Sequence, residues 1–219
     1  MGNSEGEFIM IYRYLREHFK TATDLCILEV GAHIGTDTIK LSRYTETGRL
    51  ICFEPDARNI ADLRKLESMI KFEIVDRAVG NDVGEVTFYQ SFGQKPGVIR
   101  EITDLSSTKT PKAVGKKNPW ARFVATKVQG ITLDYYCDLN SITEVDLIWA
   151  DVQGGELDLV HGARHILQST KLFYFECMKN CLGLYEGQPS FGQILNALPQ
   201  KNRWIVEFSN NTDVLLRRV

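Results

Sequence analysis

Residues 25–36 read LCILEVGAHIGT, and this stretch decides the fold. The apolar run that ends at Val30 is too short for a helix, and Gly31 separates it from a helix-like segment over residues 34–44. The stretch therefore predicts a short buried strand, a glycine turn and a helix. Such a unit is typical of an α/β fold with a mostly parallel sheet.

The same alternation continues along the chain. Helical spacing of apolar residues predicts an N-terminal helix within residues 1–22, carried by Phe8, Ile9, Tyr12, Leu15 and Phe19. Further helices are predicted over residues 57–69, 156–167 and 191–198, and strands over residues 50–53, 72–75, 86–89, 124–128, 145–150, 172–175, 204–208 and 214–216. The last two strands flank Asn210-Asn211 and predict an antiparallel hairpin. We expect residues 1–219 to form a single domain.

Composition excludes several classes of protein. Of the 219 residues, 43% are hydrophobic and 25% are charged, which excludes a disordered chain or a disulfide scaffold. The net charge of −2 favours neither a nucleic acid nor a membrane as a partner. No apolar run approaches the ~18 residues that a membrane span requires. The five cysteines are irregularly spaced, and no signal peptide precedes them, so a cytoplasmic location is expected, with Cys177 and Cys181 as small apolar residues.

One segment differs from the rest in charge. Residues 91–123 are rich in Gly, Pro, Ser, Thr and Lys, and the pattern predicts a loop or lid inserted between two strands. From residue 91 to residue 128 there are eight basic and two acidic side chains. The segment is either a solvated loop or a lid that attracts an anionic substrate.

Polar residues follow the predicted strands where each strand ends. Acids or glycines occur at Glu29–Thr36, Glu54–Asp56, Asp76–Ala78, Asp151–Glu156 and Glu176. Because ligands of open α/β sheets bind at the carboxyl ends of the strands, these residues predict one common site.

The glycine spacing favours one class of ligand. A dinucleotide fingerprint that begins at Gly31 requires glycines where His33 and Thr36 stand. Glu29 and Gly35 instead suit a ligand with an ammonium group to pair and a carboxylate to seat at the start of the helix, and S-adenosylmethionine has both. Glu54 lies at the spacing of an acid that binds ribose hydroxyls, which both cofactor classes use. A nicotinamide-dependent oxidoreductase is therefore the first alternative.

Several motifs in order resemble the FkbM-type S-adenosylmethionine-dependent methyltransferases. They cover residues 25–178 and comprise residues 29–35 (EVGAHIG), 52–55 (CFEP), 78–89 (AVGNDVGEVTFY), 106–107 (SS), 132–134 (TLD), 151–156 (DVQGGE), 162–163 (GA) and 175–176 (FE). The resemblance implies a Rossmann-like seven-stranded sheet, mostly parallel with an antiparallel C-terminal strand and helices on both faces. It also implies O-methylation of a hydroxyl group, often on a sugar, a glycan or a related metabolite.

The predicted site follows from the strand ends and this resemblance. The cofactor-binding candidates are Glu29, Gly31, Ala32, His33, Gly35, Thr36, Glu54, Pro55, Asp76, Arg77, Ala78 and Asp151. The catalytic candidates are Asp151 as base or orienting group, Glu156 and Glu176, and the resemblance adds Ser106 and Ser107 as active-site loop residues. His161 and His165 lie one helical turn apart without a third ligand, so no metal site is predicted.

Three residues depart from the family's pattern. The family usually has Asn in place of His33, Lys in place of Trp149 and Glu in place of Gln153. The last two flank Asp151, so a protein that binds the cofactor without catalysis is the second alternative.

Overall fold

The main sheet has the seven strands that the resemblance implies. The computed structural model describes residues 4–94, 97, 101–177 and 183–219, with side chains from residue 10 onward. Seven strands form the main sheet: β1 (Cys26–Val30), β2 (Arg49–Phe53), β3 (Glu73–Val75), β7 (Val145–Ala150), β8 (Thr170–Glu176), β9 (Trp204–Ser209) and β10 (Asp213–Arg218). Their order is β3-β2-β1-β7-β8-β10-β9, and only β10 is antiparallel to its neighbours. The predicted fold class and the C-terminal hairpin are confirmed.

Helices cover both faces of this sheet. The helices are α1 (Ser4–Phe19), α2 (Thr36–Leu41), α3 (Ala57–Leu66), α4 (Val114–Lys117), α5 (Leu133–Leu139), α6 (Glu156–His161) and α7 (Phe191–Ala197). On one face, Leu15 of α1 packs in one cluster with Ile27 and Leu147 of the sheet. On the other face, Leu159 of α6 packs with Leu28. Successive strand residues alternate between the two clusters, as the pleat requires.

The N-terminal helix is held to the sheet by an aromatic stack. The Tyr12 ring lies 5.3 Å from the Trp149 ring, and Trp149 lies 3.7 Å from Tyr174 on the neighbouring strand. Trp149 is only 2% exposed. This departure from the family's pattern is therefore a core residue on the face of the sheet that α1 covers.

A second, smaller sheet lies beside the first. It contains β4 (Ala78–Val79), β5 (Gly84–Phe92) and β6 (Arg122–Ile131), in the order β4-β6-β5. The antiparallel ladder between β5 and β6 extends to Phe92 and Arg122, so the predicted loop over residues 91–123 was too long at both ends. The sequence underestimated these strands because polar and charged residues, such as Gln90 and Arg122, occupy the ends that were missed.

One predicted helix is shorter than expected, and one helix was not predicted. The helix predicted over residues 156–167 ends at His161, and a separate 3₁₀ turn spans residues 166–169. Gly162 follows the last turn of α6, and its lack of a side chain allows close contact with the carbonyl oxygen of Gly80. Helix α5 was missed, although Thr132 caps it by accepting a hydrogen bond from the backbone of Tyr135 at 3.1 Å.

Some expectations fall outside the described residues. These are the side chains of Phe8 and Ile9, and residues Lys95, Arg100 and Cys181. Cys177 is 4% exposed, as expected of a small apolar residue. Within the described ranges, no helix combines the length and the apolar character that a bilayer span requires.

Candidate active site

A cleft of about 660 Å³ opens at the carboxyl ends of β1, β2, β3 and β7. The site residues predicted from the sequence that line it are Gly31, His33, Glu54, Pro55, Arg77, Ala78, Asp151 and the two serines Ser106 and Ser107. These positions are separated by up to 120 residues in the chain, and the parallel sheet brings them together. The cleft therefore brings together part of the set of strand-end residues that the sequence singled out, and we take it as the candidate site.

Gly31 makes the turn that forms the floor of the cleft. Its φ of +84° suits glycine, and a Cβ at this position would collide with the carbonyl oxygen of Asp151. The backbone of Gly31 is also bonded to the end of β2, because its N–H donates to the Phe53 carbonyl oxygen at 2.9 Å. The glycine thus allows the loops after β1 and β7 to meet.

A closed ring of hydrogen bonds fixes Glu54. Its Oε2 accepts from the backbone N–H of His33 at 2.8 Å, and its Oε1 accepts from the side-chain amide of Asn59 at 3.2 Å and from the Asp56 backbone at 2.9 Å. Thr103 donates its hydroxyl hydrogen to Asn59 Oδ1 at 2.7 Å. The short contact of 2.6 Å between His33 Nε2 and Thr103 Oγ1 therefore has His33 as the donor.

The electrostatics of Glu54 depend on its burial. Burial raises the pKa of Glu54 to about 7, although the hydrogen bonds that it accepts oppose the rise. Oε2 has one described donor, so it keeps a lone pair toward the cleft. The carboxylate can accept hydrogen bonds from the hydroxyl groups of a ligand.

Asp151 forms a connected acidic group with the next strand end. Gln153 donates its amide to Asp151 Oδ1 at 2.7 Å and to Glu176 Oε2 at 3.0 Å. The shared amide nitrogen therefore holds the two carboxyl groups close to each other. The surrounding protein partly desolvates Asp151 and so raises its pKa, although the residue is exposed and lines the cleft. Burial and the charge of Asp151 raise the pKa of Glu176 further.

Glu29 lies beneath the cleft. It is 1% exposed, and its Oε2 accepts from the Thr38 hydroxyl at 2.7 Å and from the Cys52 thiol at 3.1 Å. Burial raises the pKa of Glu29 to about 8. The structure gives this acid an internal role, and its predicted contact with a cofactor ammonium group stays a prediction.

The remaining candidates sit around the cleft rather than in its lining. Gly35 has a φ of +86°, and its missing side chain makes room for Leu63 and Leu66 of α3, so packing explains this glycine. Glu156 accepts from the Gly154 backbone at 3.0 Å and shares with Glu176 a small adjoining recess that also contains Gln153. Burial raises the pKa of Glu156 to about 7. The other predicted residues outside the lining are Ala32, Thr36 and Asp76.

The segment after β5 forms the roof of the cleft. Ser107 donates its hydroxyl to the Gln153 carbonyl oxygen at 2.8 Å, and Ser106 Oγ accepts from the Ser91 backbone at 3.0 Å. Sequence reasoning missed Asn59, Phe88, Thr103, Asp104 and Thr108, which also line the cleft. Among these residues, Asn59 had a signal in the sequence, since it is a polar residue in the first turn of the predicted helix that became α3. The roof residues had none, because loops carry no periodicity.

The charges of the cleft select among ligands. The lining contains the acids Glu54, Asp104 and Asp151 and the base Arg77, besides His33. This excess of acids suits a cationic ligand such as a sulfonium, and it does not suit the pyrophosphate of a dinucleotide. Among the described residues, no three His, Cys, Asp or Glu side chains are grouped in a way that could hold a metal ion.

Comparison with known proteins identifies related chains. The family model described as "Methyltransferase FkbM domain" matches residues 29–203. The chain is 33% identical over 201 residues to the 2-O-methyltransferase NoeI of Sinorhizobium fredii (strain NBRC 101917 / NGR234), across 89% of this chain and 79% of that protein.

Solved structures share the fold at low sequence identity. An rRNA methylase from Streptococcus thermophilus superposes with a TM-score of 0.54 at 10% identity, covering 97% of this chain and 96% of that one. The magnesium protoporphyrin IX methyltransferase of Synechocystis PCC 6803, solved with bound SAM, has a TM-score of 0.51 at 8% identity, covering 96% of this chain and 77% of that one.

Proposed function

Because the chain belongs to the FkbM methyltransferase family, we propose that it is an S-adenosylmethionine-dependent O-methyltransferase that acts on a hydroxyl group of a carbohydrate or related metabolite. The observation that carries this proposal is the acidic cleft where Gly31, Glu54 and Asp151 meet at one edge of the sheet. The relative NoeI is a 2-O-methyltransferase, which supports an oxygen acceptor.

The residues of the cleft fit the cofactor. Glu54 would accept hydrogen bonds from the ribose hydroxyls, and the apolar surfaces of Ala78, Val79 and Phe88 would contact the adenine. The acids at the other end of the cleft would stabilise the positive charge of the cofactor. When bound, S-adenosylmethionine supplies a methyl group that is activated by the positively charged sulfur. Proximity of the acceptor oxygen to this methyl group can contribute roughly 7–11 kcal/mol to catalysis.

Asp151 is the residue that we assign to the acceptor hydroxyl. It lies at the end of the central strand β7, with one side open to the cleft. A carboxylate in this position can take the hydroxyl proton as the oxygen attacks, which typically contributes 10²–10⁴-fold to the rate. Glu156 and Glu176 lie behind it and adjust its charge rather than meeting the acceptor first.

The acceptor's own charge is a finer part of the proposal. Lys112, Lys116 and Lys117 are exposed on the segment between β5 and β6, and Arg122 is exposed at the start of β6. Lys109 is half-buried and forms an ion pair with Asp158. These exposed cations support an acceptor that carries a phosphate or carboxylate away from the reacting hydroxyl. Salt should then raise the apparent KM for the acceptor. A KM that does not change with salt would remove this part of the proposal.

Neither alternative is favoured by the site. Family membership and the acidic lining leave a nicotinamide-dependent oxidoreductase without support. The inactive-protein alternative was based on Trp149 and Gln153. Trp149 packs in the core, and Gln153 donates hydrogen bonds to the candidate base, so neither residue blocks the cleft.

Two measurements test the proposal. Calorimetry should detect binding of S-adenosylmethionine and S-adenosylhomocysteine. Glu54→Gln should weaken the binding of S-adenosylhomocysteine about tenfold, because a hydrogen bond to a charged group is worth about 1.5–3 kcal/mol. Transfer of a radiolabelled methyl group should be assayed across a panel of mono- and oligosaccharides. Asp151→Asn should bind the cofactor product and lose about 10²–10⁴-fold in turnover.

The exposed acid Glu85 provides a matched control, since Glu85→Gln should change neither quantity. Absence of binding by the wild-type protein would exclude the proposed function. Binding without transfer to any acceptor would favour the inactive alternative.

We also propose a cytoplasmic location for the protein, supported by the free thiols of Cys26, Cys52 and Cys137. Cell fractionation would test it.

A further inference from the structure

Gln153 occupies an unusual position between two acids. Its amide nitrogen lies 2.7 Å from Asp151 Oδ1 and 3.0 Å from Glu176 Oε2. The orientation of the amide follows from its surroundings, because both acids need donors while its oxygen faces the Tyr185 hydroxyl at 3.4 Å. Gln153 also has a positive φ of 48°, and Ser107 holds its carbonyl oxygen at 2.8 Å. The loop is therefore built to present this amide to both carboxyl groups.

The geometry favours one proton on the pair Asp151 and Glu176. One amide nitrogen lies within 3.0 Å of an oxygen of each carboxyl group, and two carboxyl groups this close disfavour the ionisation of both. Glu176 is the more buried of the two residues, and burial favours the protonated form. Asp151 is exposed and accepts the shorter hydrogen bond from Gln153, which favours its ionised form.

Other ionisable groups surround the pair on every side. Most are acids or phenols, so they favour retention of the shared proton. They are Asp37 of α2, Glu156 of α6, Tyr174 of β8, Asp213 of β10 and Tyr185 after the roof, and Asp104 of the roof acts on Tyr185. The nearest cation from the roof, Lys109, acts on Glu156 and pairs with Asp158.

We propose that Gln153 and Glu176 are positioning residues that keep Asp151 ionised and directed at the acceptor hydroxyl, with Glu176 as the protonated member of the pair. This inference rests on the proposed function. As the acceptor oxygen bonds to the methyl carbon, the methyl–sulfur bond breaks and its electron pair stays on sulfur. Asp151 takes the hydroxyl proton, and Glu176 keeps its own.

Isosteric variants separate the roles of the residues. Gln153→Glu replaces the shared donor with a third carboxyl group, so the acid limb of kcat/KM should move to higher pH by about one unit or more. Glu176→Gln retains a donor toward Asp151 and should keep activity within about threefold. Asp151→Asn should lose activity at every pH. Gln188→Glu is the matched control, because Gln188 lines the adjoining recess and should give a smaller shift.

A second readout does not need the reaction. Side-chain carbon NMR of the ligand-free protein should find Asp151 ionised and Glu176 protonated near pH 7, and Gln153→Glu should raise the pH at which Asp151 ionises. Circular dichroism would establish that each variant is folded. The reverse order of ionisation, an unchanged acid limb in Gln153→Glu, or a loss in Glu176→Gln as large as in Asp151→Asn would each overturn the inference. If the wild-type protein transfers no methyl group, the proposed function fails, while the NMR titration still tests the proton arrangement.

Discussion

At the scale of single residues, Glu29 gives a prediction about stability and pH. Its pKa is about 8 in the folded protein against an ordinary value of 4.5, so the folded state binds a proton that the unfolded state releases between these values. Stability is therefore lost as the pH rises from about 5 to 8. Glu29→Gln removes this loss, and its free energy of unfolding relative to wild type should increase by about 4 kcal/mol over that range, since each pH unit is worth about 1.4 kcal/mol.

Urea denaturation at several pH values would measure the effect of Glu29. The exposed acid Glu67 serves as the control, since Glu67→Gln should follow the wild-type pH dependence. A constant difference between Glu29→Gln and wild type would mean that Glu29 is ionised in the fold. Measuring S-adenosylhomocysteine affinity of the same variant would test the predicted ammonium contact, because loss of that contact should weaken binding.

Gly31 gives a second prediction at this scale. Gly31→Ala combines an unfavourable φ with a collision against the Asp151 backbone, so it should cost several kcal/mol of stability, above the roughly 1–2 kcal/mol of the backbone conformation alone. Gly187 has a φ of +70° and no atom near its Cβ position, so Gly187→Ala isolates the conformational part. Thermal unfolding of both variants measures the difference. Equal losses would mean that the loops after β1 and β7 adjust to the added methyl group.

At the scale of elements, the roof of the cleft and the turn after β1 form one unit. Thr103→Val removes the hydroxyl group that joins His33 to Asn59. Because Asn59 is buried, its Oδ1 atom then lacks the hydrogen bond that Thr103 donated. An unsatisfied buried acceptor costs about 1–3 kcal/mol, so amide hydrogen exchange across residues 102–107 should become faster. Affinity for S-adenosylhomocysteine should fall several-fold, because Asn59 holds Glu54.

Thr110→Val is the matched control for Thr103→Val, since Thr110 is exposed and its hydroxyl bonds to the Tyr89 hydroxyl, which lies outside the ring around Glu54. Unchanged exchange in Thr103→Val would show that the roof is held by its other anchors, Ser106 and Ser107.

The elements also explain how far the sequence could go. Strands such as β1 and β7 were predictable because burial on both faces makes them continuous apolar runs bounded by polar turns. The pattern therefore indicated the edge at which Glu54 and Asp151 meet. It could not reveal that Thr103 closes a ring with His33, because that contact joins residues 70 positions apart through an aperiodic loop. Nor could it show that Glu29 is buried against Thr38 and Cys52, because those contacts depend on how α2 and β2 pack against β1.

At the scale of the whole molecule, the distribution of charge separates two regions of function. Eight basic and two acidic side chains occur between residues 91 and 128, in a chain whose net charge is −2. The rest of the molecule is therefore acidic, and the cleft has acids at its floor. The prediction that residues 1–219 form a single domain can be tested by limited proteolysis. A single domain should resist release of the segment between β5 and β6.

This charge distribution predicts how salt acts on cofactor binding. S-adenosylmethionine carries one more positive charge than S-adenosylhomocysteine, and the two differ otherwise by one methyl group. Attraction between the sulfonium and the acids of the cleft is screened over about 8 Å at physiological salt and about 3 Å at 1 M. Raising the sodium chloride concentration from 0.05 to 0.5 M should therefore weaken binding of the methionine form by about two- to fivefold and that of the homocysteine form much less. Calorimetric titrations at matched pH would give both slopes. Because Asp151→Asn removes one acid at the sulfonium end, this variant should show a smaller difference between the salt dependences of the two affinities. Equal salt dependences in the wild-type protein would mean that the acids hold the cofactor through hydrogen bonds rather than through its charge.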